Sequence, residues 1–247
     1  MIVMVCNAVL TVVVPVGIML FLHRRGGRWS SFAVGAATFV LFALVLEAIF
    51  HNLVLGSALG PVIQGNIWLY GLYGGLAAGI FEEAGRFLAF KLVLRKQRDR
   101  VTALSYGIGH GGVEAFLLLG MTMVNNLIIL SAWTSGGELA PELESAAATL
   151  ASYPASAFLW GGFERIPAIA FHMAASVLVF TAAARPGKLW LFPAAIVLHF
   201  LLDFLAVVCS AYLPIAVLEL LVAAFALAVV WLAARIYKNL PEKVEIS

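Results

Sequence analysis

The sequence predicts an all-α, polytopic integral membrane protein of about seven transmembrane helices, folded as a single transmembrane domain over residues 1–247. Composition, the lengths of the apolar segments and the placement of the basic residues all predict this class. Hydrophobic residues make up 63% of the chain and charged residues 11%, and the mean hydropathy is +1.03. These values lie outside the usual range of soluble domains. We therefore expect the chain to fold in a bilayer.

Seven apolar segments are long enough to cross the hydrocarbon core, which takes roughly 20 helical residues. They cover approximately residues 1–22, 31–55, 66–94, 102–132, 157–184, 189–209 and 211–236. The first begins MIVMVCNAVL, with no basic residue ahead of its apolar run. Because a secretory signal has a basic leader and a small-residue cleavage pattern, this segment is predicted to be a retained span.

Basic residues follow every second segment and indicate the orientation. The basic clusters are HRRGGR, RKQRDR, the pair Arg185 and Lys188, and the pair Arg235 and Lys238. The long loop TSGGELAPELESAAATLASYPA is acidic and falls on the opposite side. Since cytoplasmic loops carry the excess of lysine and arginine, the N-terminus is predicted outside and the C-terminus in the cytoplasm, with the protein in the plasma membrane. Topology thus accounts for the basic residues, and no nucleic-acid partner is expected.

The third segment carries three charges in the stretch FEEAGRFLAF. A charge at the centre of a membrane helix costs about 2.5–3.5 kcal/mol, so such residues face the bundle interior and usually mark a functional site. Arg86 stands four residues after Glu82 and three after Glu83, so it can reach both acids. It would keep one glutamate charged and leave the other to carry a proton. The alternative is an ion pair that only locks helices together.

A glycine ridge precedes these charges on the same helix. Gly71, Gly75 and Gly79 recur every four residues, and Glu83 continues the series. Residues at this spacing share one helix face. A neighbouring backbone is therefore expected to pack closely along this face.

Three later segments each carry a histidine followed by a polar residue one turn later. The pairs are His110 with Glu114 in GIGHGGVEAF, His172 with Ser176 in FHMAAS, and His199 with Asp203 in HFLLDF. Such a partner can fix the orientation and tautomer of an imidazole ring. The glycines around His110 are expected to let a bulky group approach it.

Depth in the membrane distinguishes a site from scattered polar residues. At about 1.5 Å per residue from the cytoplasmic helix ends, the depths are roughly 16 Å for Glu83, 13 Å for His110, 18 Å for His172 and 16 Å for His199. Four helices would therefore bring an acid pair and three histidines to one layer, which favours a functional site. The remaining intramembrane polar residues lie nearer the outer surface. Glu47 and His51 are expected to have a structural role or to form an entrance, and Glu164 and Arg165 to cap the fifth helix or to pair across the bundle. Glu219 is expected to be structural or interfacial.

These motifs resemble those of the YhfC family of intramembrane proteases, in the superfamily of type II CAAX prenyl proteases, PrsW proteases and the APH-1 subunit of γ-secretase. That superfamily is recognised by four core helices with an EExxxR-like motif, an FxxxH motif and two HxxxN-like motifs. The corresponding stretches are Glu82-Glu83-Ala-Gly-Arg86, Tyr106-x-x-x-His110, His172-x-x-x-Ser176 and His199-x-x-x-Asp203. Here the arginine comes one residue earlier than in the CAAX proteases, tyrosine replaces phenylalanine, and serine or aspartate replaces asparagine. The core helices would be approximately residues 66–94, 102–132, 157–184 and 189–209.

The resemblance implies hydrolysis of a peptide bond in a membrane-associated polypeptide, with lipid as the surrounding partner. Either Glu82 or Glu83 would act as general base on a water molecule. His110 and His172 would orient that water and stabilise the oxyanion, and His199 would complete the catalytic layer. The supporting residues would be Arg86, Glu114, Ser176 and Asp203. Because the layer lies nearer the cytoplasmic face, the substrate is expected to reach it from that half.

Other functions remain open on the sequence alone. The first mechanism needs no cofactor, but a zinc-dependent version would use His110, His172 and His199 as ligands from separate helices, because the chain has no HExxH motif. A proton-coupled transporter or relay would also place acids and histidines at mid-membrane depth, although no internal repeat is evident. A non-catalytic scaffold similar to APH-1 is the third alternative.

Overall fold

The computed structural model describes residues 1–137 and 140–243, and this part of the chain is helical with no β-strand. The first helices are α1 (Ile2–His23), α2 (Trp29–Phe39), α3 (Ala48–Leu55), α4 (Gly60–Gln64), α5 (Ile67–Leu88) and α6 (Val101–Glu114). The later helices are α7 (Met121–Thr134), α8 (Pro141–Ser152), α9 (Ala155–Ala184), α10 (Leu191–Ser210) and α11 (Ile215–Lys238). The predicted all-α class is confirmed.

Three stretches of these helices are π-helical. The segment π1 (Val40–Glu47) joins α2 to α3, π2 (Ala89–Val93) extends α5, and π3 (Ala115–Gly120) joins α6 to α7. The second and fourth predicted spans are therefore continuous helices, each with a π-helical segment near its middle. Because π-helices are rare and often occur at functional sites, the space beside π1 and π3 is a candidate location for a site.

Six helical segments of the described chain are long and apolar enough to cross a membrane. They are Ile2–His23, Trp29–Leu55, Val101–Thr134, Ala155–Ala184, Leu191–Ser210 and Ile215–Lys238, and their bounds follow the predicted segments within a few residues. The third predicted span corresponds to α5, which has 22 residues but is not among the six. Its glycines and its buried charges lower its hydropathy, and it packs against α10 and the second span inside the bundle.

The glycine ridge of α5 packs against α10, as the sequence predicts. A Cβ atom on Gly75 would lie 2.8 Å from the carbonyl oxygen of Phe200, and one on Gly79 would lie 2.8 Å from that of Ile196. Neither position has room for a side chain, so the two backbones approach closely. Glu83, the next residue of the ridge, consequently meets His199 of α10.

The glycines around His110 make room for neighbouring helices, which corrects the expectation that they let a bulky group approach. A Cβ atom on Gly107 would lie 2.6 Å from the Cα atom of Met173 in α9. One on Gly112 would lie 2.6 Å from the Cβ atom of Pro15 in α1. The space beside α6 is thus filled by α1 and α9, and the helix lies at the centre of the bundle.

The acidic segment between the fourth and fifth predicted spans contains a helix as well as loop. Residues Pro141–Ser152 form α8, which packs against α7. Proline at the start of a helix and acids in its first turn both favour helix initiation, and here Glu142 and Glu144 occupy that turn. Two further residues of the segment, Glu138 and Leu139, lie outside the described residues.

Candidate active site

Four helices bring the predicted acid pair and the three histidines together in one buried cluster. We call this cluster the polar layer; it consists of Glu82, Glu83 and Arg86 from α5, His110 from α6, His172 from α9 and His199 from α10. The ring centroids of His110 and His172 are 4.8 Å apart, and those of His172 and His199 are 5.5 Å apart. The common depth inferred from the helix ends is therefore observed as direct side-chain proximity.

Glu82 lies at the centre of the three imidazole rings. Its Oε2 atom is 2.8 Å from His110 Nε2 and 3.9 Å from His172 Nδ1. Its other oxygen, Oε1, is 3.9 Å from His199 Nε2. One carboxylate thus faces all three histidines, and Glu82 also lines the cavity described below.

Glu83 is enclosed, and both of its oxygens have partners. Its side chain is 0% exposed, Oε2 lies 2.9 Å from Arg86 Nε, and Oε1 lies 2.8 Å from His199 Nδ1. The expectation that Arg86 reaches both acids is corrected, because its ion pair in the described structure is with Glu83. The two Nη atoms of the guanidinium lie against acceptors of α9.

Arg86 fixes the tautomer of His172. Its Nη1 donates to the His172 carbonyl oxygen at 2.8 Å and to Ser176 Oγ at 2.5 Å, and its Nη2 lies 3.1 Å from His172 Nδ1. Because arginine has only donors, Nδ1 must accept, and the proton of the neutral ring lies on Nε2. That Nε2 is in contact with Glu114 Oε2, at 2.5 Å. The lone pair of His172 Nδ1 therefore accepts from Arg86, on the side of the ring that lies 3.9 Å from Glu82 Oε2.

The partners of the histidines come mostly from other helices, which corrects the prediction of a partner one turn later. Glu114 bonds His172 across the bundle instead of the histidine of its own helix. Ser176 donates to the backbone oxygen of His172, at 2.7 Å, and not to its ring. Asp203 Oδ2 lies 3.5 Å from His199 Nε2, beyond hydrogen-bond distance. The rings of His110 and His172 project towards neighbouring helices, and Asp203 remains within ion-pair distance of the His199 ring.

Arg165 supports Glu114 from the far side of the cluster. Its Nη1 donates to Glu114 Oε1 at 3.0 Å, and its guanidinium also pairs with the adjacent Glu164. Arg165, Glu114 and His172 therefore form a chain of contacts that ends at the polar layer. From the sequence, Arg165 was expected to cap its helix or to pair across the bundle, and the structure shows it paired with Glu114 of α6.

A cavity of about 390 Å³ lies next to the polar layer, with Glu82, His172 and His199 at its floor. From there it follows the second span through Glu47 to His51, moving away from the basic turn that precedes α2. Its lining on α9 lies before His172 and its lining on α10 lies after His199, which is the same direction. The cavity therefore extends away from the basic turns, and the expected access from the cytoplasmic half is corrected.

A second polar cluster lies on the wall of this cavity. Glu47 Oε1 is 3.1 Å from His51 Nε2, and His51 Nδ1 is 2.7 Å from Tyr73 Oη. The sequence singled out Glu47 and His51 but missed Tyr73, since no local spacing connects it to them. These bonds tie the second span to α5. Glu219 is buried on α11 and is not part of the cavity lining.

Three side chains of the polar layer are close enough to share a metal ion. Glu82, His110 and His172 each offer one ligand atom, and these atoms lie within 4.8 Å of one another. The predicted ligand set differs in one member, because it had His199 in place of Glu82. The Nδ1 atom of His199 is bound to Glu83. The Nε2 atom of His199 lies beside Glu82 Oε1, whereas His110 and His172 lie beside Glu82 Oε2.

The chain is similar to proteins of one family. A family model described as "YhfC intramembrane metalloprotease" matches residues 10–226, a range that includes the whole polar layer. The Bacillus subtilis (strain 168) protein named "Uncharacterized membrane protein YhfC" is 33% identical over 240 residues, which cover 91% of this chain and 92% of the relative. No solved structure matches the chain.

Proposed function

The chain belongs to the YhfC family, and we propose that it is an intramembrane endopeptidase that hydrolyses a peptide bond of a membrane-associated polypeptide. One observation carries the proposal: Glu82 meets three histidines at the floor of a cavity inside the bundle. A carboxylate and imidazoles around a space for water are the groups that hydrolysis needs. The description of the family model points to the same reaction class.

Glu82 would act as the general base. Both oxygens of Glu83 are held by Arg86 and His199, whereas Glu82 opens onto the cavity. A water molecule beside Glu82 would lose a proton to it as the water oxygen attacks the scissile carbonyl carbon. When the carbon–nitrogen bond breaks, Glu82 would return that proton to the leaving amine. Arg86 would keep Glu83 ionised, so that Glu83 holds His199 in place.

The histidine tautomers limit how the oxyanion can be stabilised. The N–H of neutral His172 is directed to Glu114 and that of His199 to Glu83, so their lone pairs face inward. An inward lone pair cannot donate to an oxyanion, which requires N–H groups or a cation. His110 has its Nε2 on Glu82. The stabilising group would therefore be protonated His199 or a bound metal ion.

A divalent metal such as zinc fits the donor set of Glu82, His110 and His172. Glu114 contacts the far nitrogen of His172, and metal-binding imidazoles are commonly accompanied by a carboxylate at this position. The lone pair on His172 Nδ1, which here accepts from Arg86, would become the ligand. When bound, the metal would supply Lewis-acid polarisation of the carbonyl and activation of water.

Removal of metal by a chelator distinguishes the metal-dependent mechanism from the mechanism in which Glu82 acts without a metal. If the metal is required, dialysis against a chelator abolishes cleavage and added zinc restores it. If Glu82 works as the base without a metal, the dialysed protein cleaves at the original rate. Metal content of the purified protein, measured by mass spectrometry for wild type and His172→Ala, gives a readout that does not depend on activity.

The chain would lie in the plasma membrane as a single transmembrane domain, with its N-terminus outside and its C-terminus in the cytoplasm. The support is the position of the basic residues, which follow α1, α5, α9 and α11. A membrane-impermeant thiol reagent applied to intact cells tests this. A cysteine placed at Ser152 should react and one placed at Lys96 should not; the opposite pattern would reverse the orientation.

The function is tested with purified protein in liposomes that contain a library of epitope-tagged single-span proteins. Wild type should release cleaved products, and His110→Ala and His172→Ala should not, whereas the exposed control Leu41→Ala should cleave normally. If wild type cleaves nothing but moves protons or a solute across the liposome membrane, the transporter alternative replaces this proposal. If the histidine variants cleave as wild type does, the polar layer is not the active site.

A further inference from the structure

The second and fourth spans pack tightly in the half of the bundle that carries the basic turns. A Cβ atom on Gly35 of α2 would lie 3.0 Å from the backbone nitrogen of His110 in α6. A Cβ atom on Gly109 of α6 would lie 2.8 Å from the Cα atom of Phe32 in α2. The two backbones are therefore in contact over this length, and nothing can pass between them.

The same two spans separate in the other half. No Cα atom of π1 or α3 lies within 8 Å of a Cα atom of π3 or α7, all of which the structure describes. The last residue of α2 is Phe39, whose ring centroid is 5.3 Å from that of His110. The spans thus diverge at the level of the polar layer, where each becomes π-helical.

The gap between the diverging spans leads into the cavity. Leu44 on π1 and Leu118 on π3 line the cavity and are 38% and 49% exposed, respectively. The second span lines the cavity with the apolar Ala43, Leu44 and Ala48 as well as with Glu47 and His51. Glu82 and His172 lie at the floor. The opening is therefore apolar where it meets the bilayer and polar where it meets the catalytic candidates.

We infer that this gap is a lateral portal for one apolar membrane-spanning segment of the substrate, which passes between π1 and π3 from the half of the bilayer opposite the basic turns. The inference rests on the proposed endopeptidase function and adds the route and the class of substrate. The charged side chains of the polar layer lie at mid-membrane depth, where charges are costly. Lipid tails in the gap would offer these side chains no polar group to bind. A polypeptide backbone brings polar groups that the floor can bind.

The size of the cavity adds a requirement on the substrate. A helix of about 10–12 Å diameter fills roughly 400–600 Å³ per turn, and the cavity holds about 390 Å³. The cavity is thus about the size of one helical turn. A scissile region that unwinds reaches Glu82 most readily, so spans with glycine or proline near the cleavage point are the favoured substrates.

The test places a photo-crosslinking amino acid at one position at a time in the Glu82→Gln variant. Leu44 and Leu118 are the portal positions, and Leu41 and Met121, 49% and 47% exposed and outside the cavity lining, are matched controls on the same two spans. The probe is an epitope-tagged single-span protein that wild type cleaves in liposomes. We expect probe adducts at the portal positions and only background at the controls.

A kinetic measurement in the otherwise wild-type chain complements the adducts. Leu44→Trp and Leu118→Trp should raise the KM for the single-span probe about tenfold, with kcat retained, whereas Leu41→Trp should change neither. Three results would overturn the portal: equal adducts at all four positions, adducts to lipid alone, or an unchanged KM in both portal variants. In each of these cases, cleavage by wild type would still uphold the proposed function. If wild type cleaves no single-span protein, both proposals fail together.

Discussion

The two faces of α5 carry neighbouring glutamates into opposite surroundings. On one face, Glu83 continues the glycine ridge into the contact with α10, is 0% exposed and has both oxygens paired. On the other face, Glu82 looks into the cavity and faces three histidines. Successive residues of an α-helix differ by about 100° in direction, so a one-residue shift is enough to separate the two.

In the proposed mechanism, this difference explains why there are two adjacent acids. A buried arginine needs a permanent counter-charge, and a catalytic base needs freedom to gain and lose a proton. One carboxylate cannot serve both needs, because a proton taken by the partner of Arg86 would leave the guanidinium unpaired in the bundle. In the proposed mechanism, Glu83 meets the first need and Glu82 meets the second. Glu82→Gln and Glu83→Gln test this division, and Arg165→Met and Tyr73→Phe test the contacts around it.

Glu82→Gln should have the largest effect. Loss of a general base typically lowers a rate by about 10²–10⁴-fold, and we expect roughly a thousandfold loss of cleavage with an unchanged thermal midpoint. The readouts are the initial rate of product formation in liposomes and thermal unfolding in detergent. Cleavage at the wild-type rate would remove Glu82 from the mechanism.

Glu83→Gln should primarily destabilise the fold. It leaves Arg86 buried without a counter-charge, and breaking a buried ion pair in this way costs about 3–5 kcal/mol. The check is the free energy of unfolding, measured by denaturant titration in detergent. In the double variant Glu83→Gln/Arg86→Met, which removes the unpaired charge, part of the loss should be recovered. A Glu83→Gln protein as stable as wild type would contradict the structural role.

Arg165→Met should have an intermediate effect on activity. It releases Glu114, which then no longer fixes His172, and loss of such an outer partner typically costs about 10–100-fold in activity or metal affinity. Zinc affinity and cleavage rate are both measured. The control is Glu164→Gln, which removes a partner of Arg165 but keeps the contact between Arg165 and Glu114, and should cost less. Equal losses in the two variants would argue against the chain of contacts.

Tyr73→Phe should have the smallest effect. It deletes one hydrogen bond to His51, between the second span and α5, which is worth about 1 kcal/mol of stability. Thermal unfolding should register this loss while the cleavage rate stays at the wild-type level. A fall in cleavage as large as that of Arg165→Met would mean that the second polar cluster participates in the chemistry.

Much of the architecture could be predicted from local patterns. Hydropathy located the spans, because each must cover the hydrocarbon core with apolar side chains. Counting 1.5 Å per residue placed Glu83, His110, His172 and His199 at a common level. The four-residue glycine spacing predicted the close approach that α5 makes to α10. All three arguments depend on one helix at a time.

The rest depends on how helices face one another, which spacing along one helix does not encode. His172 takes Glu114 from α6 and Arg86 from α5 as partners, and neither lies within one turn of it. For the same reason, the sequence did not predict the contact of Tyr73 with His51 or the place of Glu82 in the candidate metal group. The portal was also not predictable, since it arises where two spans diverge at their π-helical segments.

The division between the two glutamates is tested most directly by assaying Glu82→Gln and Glu83→Gln in the same liposomes, with each cleavage rate divided by the amount of folded protein. The account predicts a rate per folded molecule that is about a hundredfold lower or more for Glu82→Gln than for Glu83→Gln. Equal rates, or a lower rate for Glu83→Gln, would contradict the assignment of Glu82 as the residue that handles the proton.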